Sequence, residues 1–166
     1  ERVFGRRTWR GGWRRPRPRR RPETLAPLLR DADYVFHVAG LTRARKSADY
    51  YSVNHLGTRA LLKACKQHCT ALKRFVFVSS LTAVGPRLTP DEVTETTRYP
   101  PVSHYGRSKM LAEIEVLEAA SKIPITIVRP SAVYGPRDRD LFRYFKMIRT
   151  GIEPLLGSGA HQLNLV

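Results

Sequence analysis

"RFVFVSS", residues 74–80, is an apolar run with no polar alternation before its closing serines. A strand with one wet face interleaves polar residues, whereas one covered on both faces stays apolar throughout. Two runs of the same texture flank it: "YVFHVAG", residues 34–40, and "PITIVRP", residues 124–130, which stops at Pro130. Between them the apolar spacing becomes helical. "ADYYSVNHLGTRALLKACKQHC" gathers Val53, Leu56, Gly57, Ala60, Leu61, Ala64 and Cys65, and "SHYGRSKMLAEIEVLEAA" gathers Leu111, Ile114 and Leu117. "DLFRYFKMIRTG" gathers Leu141, Phe142, Phe145 and Ile148 before Gly151 ends the helix. Leu25, Leu28 and Leu29 mark a short helix ahead of the first run, and "QLNLV" opens a further strand.

This alternation predicts an α/β fold: a partial Rossmann-like parallel sheet with helices on both faces. Crossovers of such length are right-handed, so the loops that follow the strands share one edge of the sheet. Ligands of open α/β sheets bind at that edge. Ala39–Gly40, Ser79–Ser80, Pro130–Ser131 and the start of the Tyr105 helix all fall there.

The length of 166 residues and the 42% hydrophobic content suit one packed domain. The formal charge of +16 suggests a nucleic-acid binder until it is located. Residues 1–22 hold ten arginines against one acid, Glu1, which leaves +7 on the remaining 144 residues. That segment of Arg, Gly, Pro and Trp has no apolar period and is expected to be disordered or a reading-frame artefact; the domain then spans 23–166. A true arginine arm would contact phosphates, with binding that weakens steeply as salt rises. Cys65 and Cys69 flank His68 but lack a fourth ligand, so they read as thiols in a reducing compartment and no metal is expected. No apolar stretch reaches the roughly 20 residues of a membrane span, and no signal peptide opens the chain. A cytoplasmic protein without membrane contact follows.

Tyr105 and Lys109 stand four residues apart, on one helix face. An ammonium beside a phenol favours phenolate, which lowers the phenol's pKa and makes it a proton acceptor for an alcohol or a donor to a carbonyl.

Taken in order, "YVFHVAG", "VNHLGT", "RFVFVSSLTAVG", "YGRSK" and "IVRPSAVYGPRD" resemble the NAD-dependent epimerase/dehydratase family, the extended branch of the short-chain dehydrogenases/reductases. The resemblance implies NAD or NADP as cofactor, a small-molecule substrate and a homodimer for the full-length enzyme. It makes Tyr105 the catalytic acid/base, Lys109 its neighbour and a ligand of the nicotinamide ribose, and Ser80 the hydroxyl that bonds the substrate oxygen. Ala39, Gly40, Leu41, Val78, Ser79, Pro130, Ser131, Ala132 and Val133 would line the cofactor. Thr82, Arg137 and Asn54 are substrate-side candidates, with a side-chain-to-backbone bond as the other reading of Asn54. Arg129 reads as a surface cation. Leu81 stands where the family's dehydratases carry an acid, which disfavours elimination. Ala83, Val84 and Gly85 are closer to the branch similar to 3β-hydroxysteroid dehydrogenases and dihydroflavonol reductases. An alcohol–ketone oxidoreductase is the expectation, with a sugar-nucleotide epimerase as the alternative.

The family's Gly-rich first turn, whose amides hold the pyrophosphate, is not found: Gly5, Gly11 and Gly12 lack its spacing. The chain is therefore expected to be a middle piece of such an enzyme, binding NAD(P) weakly and turning nothing over.

Overall fold

The computed structural model describes residues 25–87, 94–97, 100–136, 138, 140–152 and 166. The arginine-rich segment 1–22 and Arg137 lie outside them. Three parallel strands, β1 (Tyr34–His37), β2 (Arg74–Val78) and β3 (Ile125–Val128), form one sheet in sequence order. Phe75 sits between Val35 and Ile125, and Phe77 between His37 and Ile127.

The chain passes from β1 to β2 through α2 (Ser47–Tyr50), a π-helical turn (Tyr51–Leu56) and α3 (Gly57–His68). It passes from β2 to β3 through a 3-10 turn (Leu81–Ala83) and α4 (His104–Ala119). A short α1 (Ala26–Leu29) precedes the sheet and α5 (Asp140–Arg149) follows it. Gly151 closes α5 as expected, at φ +82°. The Val166 N–H donates to the Ala132 carbonyl and the Tyr134 N–H donates to the Val166 carbonyl; the strand expected at "QLNLV" otherwise lies outside the described residues.

The α/β class and parallel sheet agree with the sequence reading. Helical cover, however, is met on one face among the described residues. Two right-handed crossovers between strands laid down in one direction both fall on the same side. Leu29, Leu62, Cys65, Ala112 and Val116 close there over Phe75 and Phe77. Full burial of each phenylalanine contributes about 1.5–3 kcal/mol. The opposite face leaves Tyr34 and Phe36 exposed, and α5 does not seat on it through Phe142 or Phe145, which are exposed too.

Two helix faces also differ from expectation. In α4 the inward residues are Ser108, Lys109, Ala112, Glu113, Val116 and Ala119, while Ile114 and Leu117 are 44% and 46% exposed. Small Ala112 lets α4 approach closely, and the buried polar groups find partners inside. Around the start of α3, Asn54 and Thr58 are buried and Leu56 is exposed. A π turn closes i→i+5 rather than i→i+4, which shifts the phase that a 3.6-residue spacing assumes.

Candidate active site

Strand ends and helix N-termini meet at one edge of the sheet. β2 runs out at Val78, and Ser80 then caps the 3-10 turn by accepting from the Thr82 N–H at 3.3 Å. The Thr82 hydroxyl also donates to Ser80 Oγ, at 2.9 Å. Ser103 caps α4 through the Gly106 N–H, which brings Tyr105 in at the first turn. A Cβ on Gly106 would collide with the Thr82 carbonyl oxygen, so only glycine lets this helix rest on that turn. The Tyr105 ring lies 6.1 Å from that of Tyr50.

Lys109 is buried one helical turn further on. Its Nζ donates to the Val78 carbonyl at 2.7 Å and lies 4.3 Å over the Phe77 ring. Burial brings its pKa down to about 8, against a smaller upward pull from Glu113. The expected depression of the phenol is corrected here. Burial holds Tyr105 above the usual phenol range, the Ser80 hydroxyl pulls the other way by less, and the Lys109 ammonium is committed to Val78 instead.

Asn54 is 1% exposed and does not face a substrate space. Its side-chain oxygen accepts the Leu41 N–H at 2.7 Å, and its amide donates to the Leu41 carbonyl at 3.0 Å and to Ser108 Oγ at 2.9 Å. Ser108 in turn donates to the Tyr105 carbonyl. The backbone-bond reading of Asn54 is therefore the one seen, and the substrate-side one is corrected. A Cβ on Gly40 would lie 3.2 Å from Asn54 Oδ1, which leaves the loop tight against its clamp.

Beneath this clamp is a buried column that the sequence reading missed. Thr58 Oγ1 donates to the Asn54 backbone carbonyl at 2.6 Å, so its lone pairs are left to accept from His37 Nε2 at 2.8 Å. His37 is held neutral, its pKa brought down to about 4 by burial and then by the Lys109 charge. The signal was available as a histidine inside an apolar strand, where a neutral ring needs a partner.

Arg129 is corrected from surface cation to half-buried partner of Glu113. Its Nε and Nη2 donate to the two Glu113 oxygens at 2.9 and 2.8 Å, and Nη1 donates to the Glu95 carbonyl at 2.9 Å. An open cavity of about 610 Å³ beside them is lined by Leu81, Val84, Thr94, Glu95, Leu117 and Arg129, among others.

At the strand ends, Ser79 Oγ and Ser131 Oγ are buried with no hydrogen-bond partner. The Pro130 carbonyl accepts from the Leu81 N–H, which ties the β3 end to the active turn. Ala39, Gly40 and Val133 are exposed at the same edge. Orphaned hydroxyls, a backbone loop held open and a buried ammonium fit a dinucleotide laid across Ala39–Leu41, Val78–Ser80, Lys109 and Pro130–Val133. Such a group supplies a hydride acceptor or donor. Among the described residues no cluster of three or more His, Cys, Asp or Glu is placed to hold a metal, and no helix is long and apolar enough to cross a membrane.

A family model described as "NAD dependent epimerase/dehydratase family" matches residues 19–163. The chain belongs to that family of NAD-dependent enzymes. It is 32% identical over 136 residues to an uncharacterised UDP-glucose epimerase of Bacillus subtilis, covering 78% of this chain and 42% of the relative. It is 35% identical over 136 residues to a ceramide reductase of Caulobacter vibrioides, covering 81% and 37%. Among solved structures, UDP-glucuronic acid 4-epimerase from Bacillus cereus, in complex with UDP-glucuronic acid and NAD, superimposes with a TM-score of 0.72 at 29% identity, over 85% of this chain and 47% of that one. The chain thus spans less than half the length of the relatives it matches.

Proposed function

We propose that the protein containing this segment is an NAD(P)-dependent oxidoreductase that interconverts a secondary alcohol and a ketone. The observation that carries the reading is the convergence at one sheet edge of Ser80, just past the end of β2, Tyr105, in the first turn of α4, and Lys109, anchored one turn on by its bond to the Val78 carbonyl. Ser80 and Tyr105 together hold the substrate oxygen. A phenol kept protonated by burial is set to give its proton to a carbonyl oxygen as hydride reaches the carbon, which is the reductive direction. Lys109 restores the charge balance from beneath and meets the nicotinamide ribose. Leu81 next to Ser80 has no proton to offer a leaving hydroxyl, which argues against dehydration. Similarity to a ceramide reductase supports the reductase reading. Similarity to UDP-glucuronic acid 4-epimerase supports the second one, an epimerase that passes through a ketone on the same three side chains. A homodimer and a cytoplasmic setting complete the proposal, the latter supported by two free cysteines.

Cofactor stoichiometry separates the two. A reductase consumes one NAD(P)H per product, whereas an epimerase returns its cofactor unchanged. Tyr105→Phe lowers kcat by about 100-fold or more in either case, and a variant that keeps full activity ends both. For the 166-residue chain itself, weak NAD(P)H binding and no turnover are expected. Micromolar binding in a fluorescence titration would overturn that.

A further inference from the structure

The loop that follows β1 is held at two places by one stretch of chain. Asn54 grips Leu41 and reaches on to Ser108 of α4. Four residues earlier, Tyr50 makes a second bracket between the same loop and the same helix. Its phenol oxygen accepts from the Ala44 N–H at 3.1 Å and donates to the Thr42 carbonyl at 3.4 Å. A phenol is both donor and acceptor, so it serves two backbone groups that a phenylalanine could not. The Tyr50 ring lies 6.1 Å from the Tyr105 ring, tilted by 60°, within the range in which aromatic pairs attract. One side chain thus holds the loop by its hydroxyl and meets the Tyr105 ring with its own.

We propose that Tyr50 is a positioning residue that ties the place of the Tyr105 ring to the loop at Thr42–Ala44. The inference rests on the role given to Tyr105 above and assigns Tyr50 no contact with substrate or cofactor. The Ser103 cap and the seat of Gly106 on Thr82 fix the backbone of the first turn of α4. Tyr51 adds to this by its hydrogen bond to His104 Nδ1 at 3.0 Å. These contacts place the helix, whereas the Tyr105 ring keeps its own side-chain torsions. Tyr50 meets the ring itself. Its hydroxyl follows the loop, so a ligand that moves Thr42–Ala44 moves the surface against which the phenol rests. A misplacement of about 1 Å at a reacting group costs up to about 100-fold in rate. Leu41, beside Thr42, belongs to the expected dinucleotide seat, and occupancy of that seat is passed to the phenol along this path.

The test is NMR of ring-labelled tyrosine and of backbone amides in the 166-residue chain, with Tyr105→Phe assigning the Tyr105 ring. Tyr50→Leu removes ring and hydroxyl together and shows how much of the Tyr105 ring shift the neighbouring ring supplies. Tyr50→Phe keeps the ring and removes only the tether. In Tyr50→Phe the Ala44 N–H is expected to exchange faster with solvent, and the Tyr105 ring resonances to move toward their positions in Tyr50→Leu. Ala44→Pro deletes the donated N–H from the loop side, touches neither ring, and is expected to move the Tyr105 resonances as well. Circular dichroism matched to the native chain checks each fold, and the two tether variants stand in for one another. A tether that only stabilises the loop would speed exchange at Ala44 and leave the Tyr105 ring unmoved. That result, or an Ala44 amide indifferent to Tyr50→Phe, overturns the inference. Neither touches the functional reading, which stands or falls with the activity of Tyr105→Phe.

Discussion

Asn54 grips Leu41 by both of its backbone groups, accepting from the N–H at 2.7 Å and donating to the carbonyl at 3.0 Å. A primary amide carries both an acceptor and a donor and so matches a peptide unit in this two-way manner. Asn54→Asp keeps the size but turns the donor into a second acceptor, facing the Leu41 carbonyl and Ser108. Both Asn54→Asp and Asn54→Ala are expected to lower stability by about 2 kcal/mol, read from urea unfolding. In the protein containing this segment they should weaken NAD(P) binding more than they change kcat, which separates a loop clamp from a proton relay.

The Glu113–Arg129 pair is nearly dry, with side-chain exposures of 6% and 15%. Either partner alone would be a buried charge without compensation. Glu113→Leu is expected to cost about 3–5 kcal/mol, and Glu113→Leu with Arg129→Met considerably less than the single change. A double change that unfolds at the same denaturant concentration as the single one refutes this coupling.

His37 makes the fold sensitive to acid. Its folded pKa is about 4 against an ordinary 6.5, so between those values the unfolded chain takes up a proton that the native one refuses. Its contribution is fully present above pH 6.5 and is lost as pH falls toward 4. Thr58 and Lys109 are the polar groups near it: Thr58 accepts from Nε2 in either state, while burial and then the Lys109 charge disfavour imidazolium. Urea midpoints measured from pH 7 to pH 4 should drop less in His37→Gln than in the native chain.

Lys109 acts at the alkaline end. Its folded pKa of about 8 lies below the ordinary 10.5, so the unfolded chain holds the extra proton between the two. Native stability relative to Lys109→Met should therefore rise from pH 8 to 10.5, by at most about 1.4 kcal/mol per pH unit. Comparison with the variant cancels the thiols and phenols that titrate in the same range. A flat difference across that window would show that Lys109 keeps its charge in the folded chain.

Gly106→Ala tests the seat of α4. The added methyl meets backbone, the Thr82 carbonyl, rather than a side chain that can swing away. A loss of about 1–3 kcal/mol is expected, together with a change in the environment of the Tyr105 ring seen by NMR. An alanine accepted at no cost would mean that the turn and the helix are free to part.

The sequence made the strands plain because β2 is apolar on both sides up to its serines, and β1 and β3 are nearly so up to Gly40 and Pro130. Tyr105, Ser80 and Lys109 could be found because their spacing and order are carried by linear motifs. The faces of the two crossover helices could not. Leu56, Ile114 and Leu117 look like core on a helical wheel, yet they are outside because the inner faces are occupied by Asn54, Thr58, Ser108 and Glu113. Hydrophobic spacing assigns such residues to water; only their partners at Leu41, His37 and Arg129, distant in sequence, make burial affordable. The phenol's pKa was misjudged for a related reason. The helical spacing of Tyr105 and Lys109 gives proximity, but not the Val78 carbonyl that claims the ammonium.

The π-helical turn at Tyr51–Leu56 gives the segment a count as well as a composition. An i→i+5 turn accommodates one residue more than an α turn, and Asn54 lies within it, so a deletion that restored α geometry would change the register in which Asn54 meets Leu41. In this stretch, an insertion or deletion is more damaging than most substitutions.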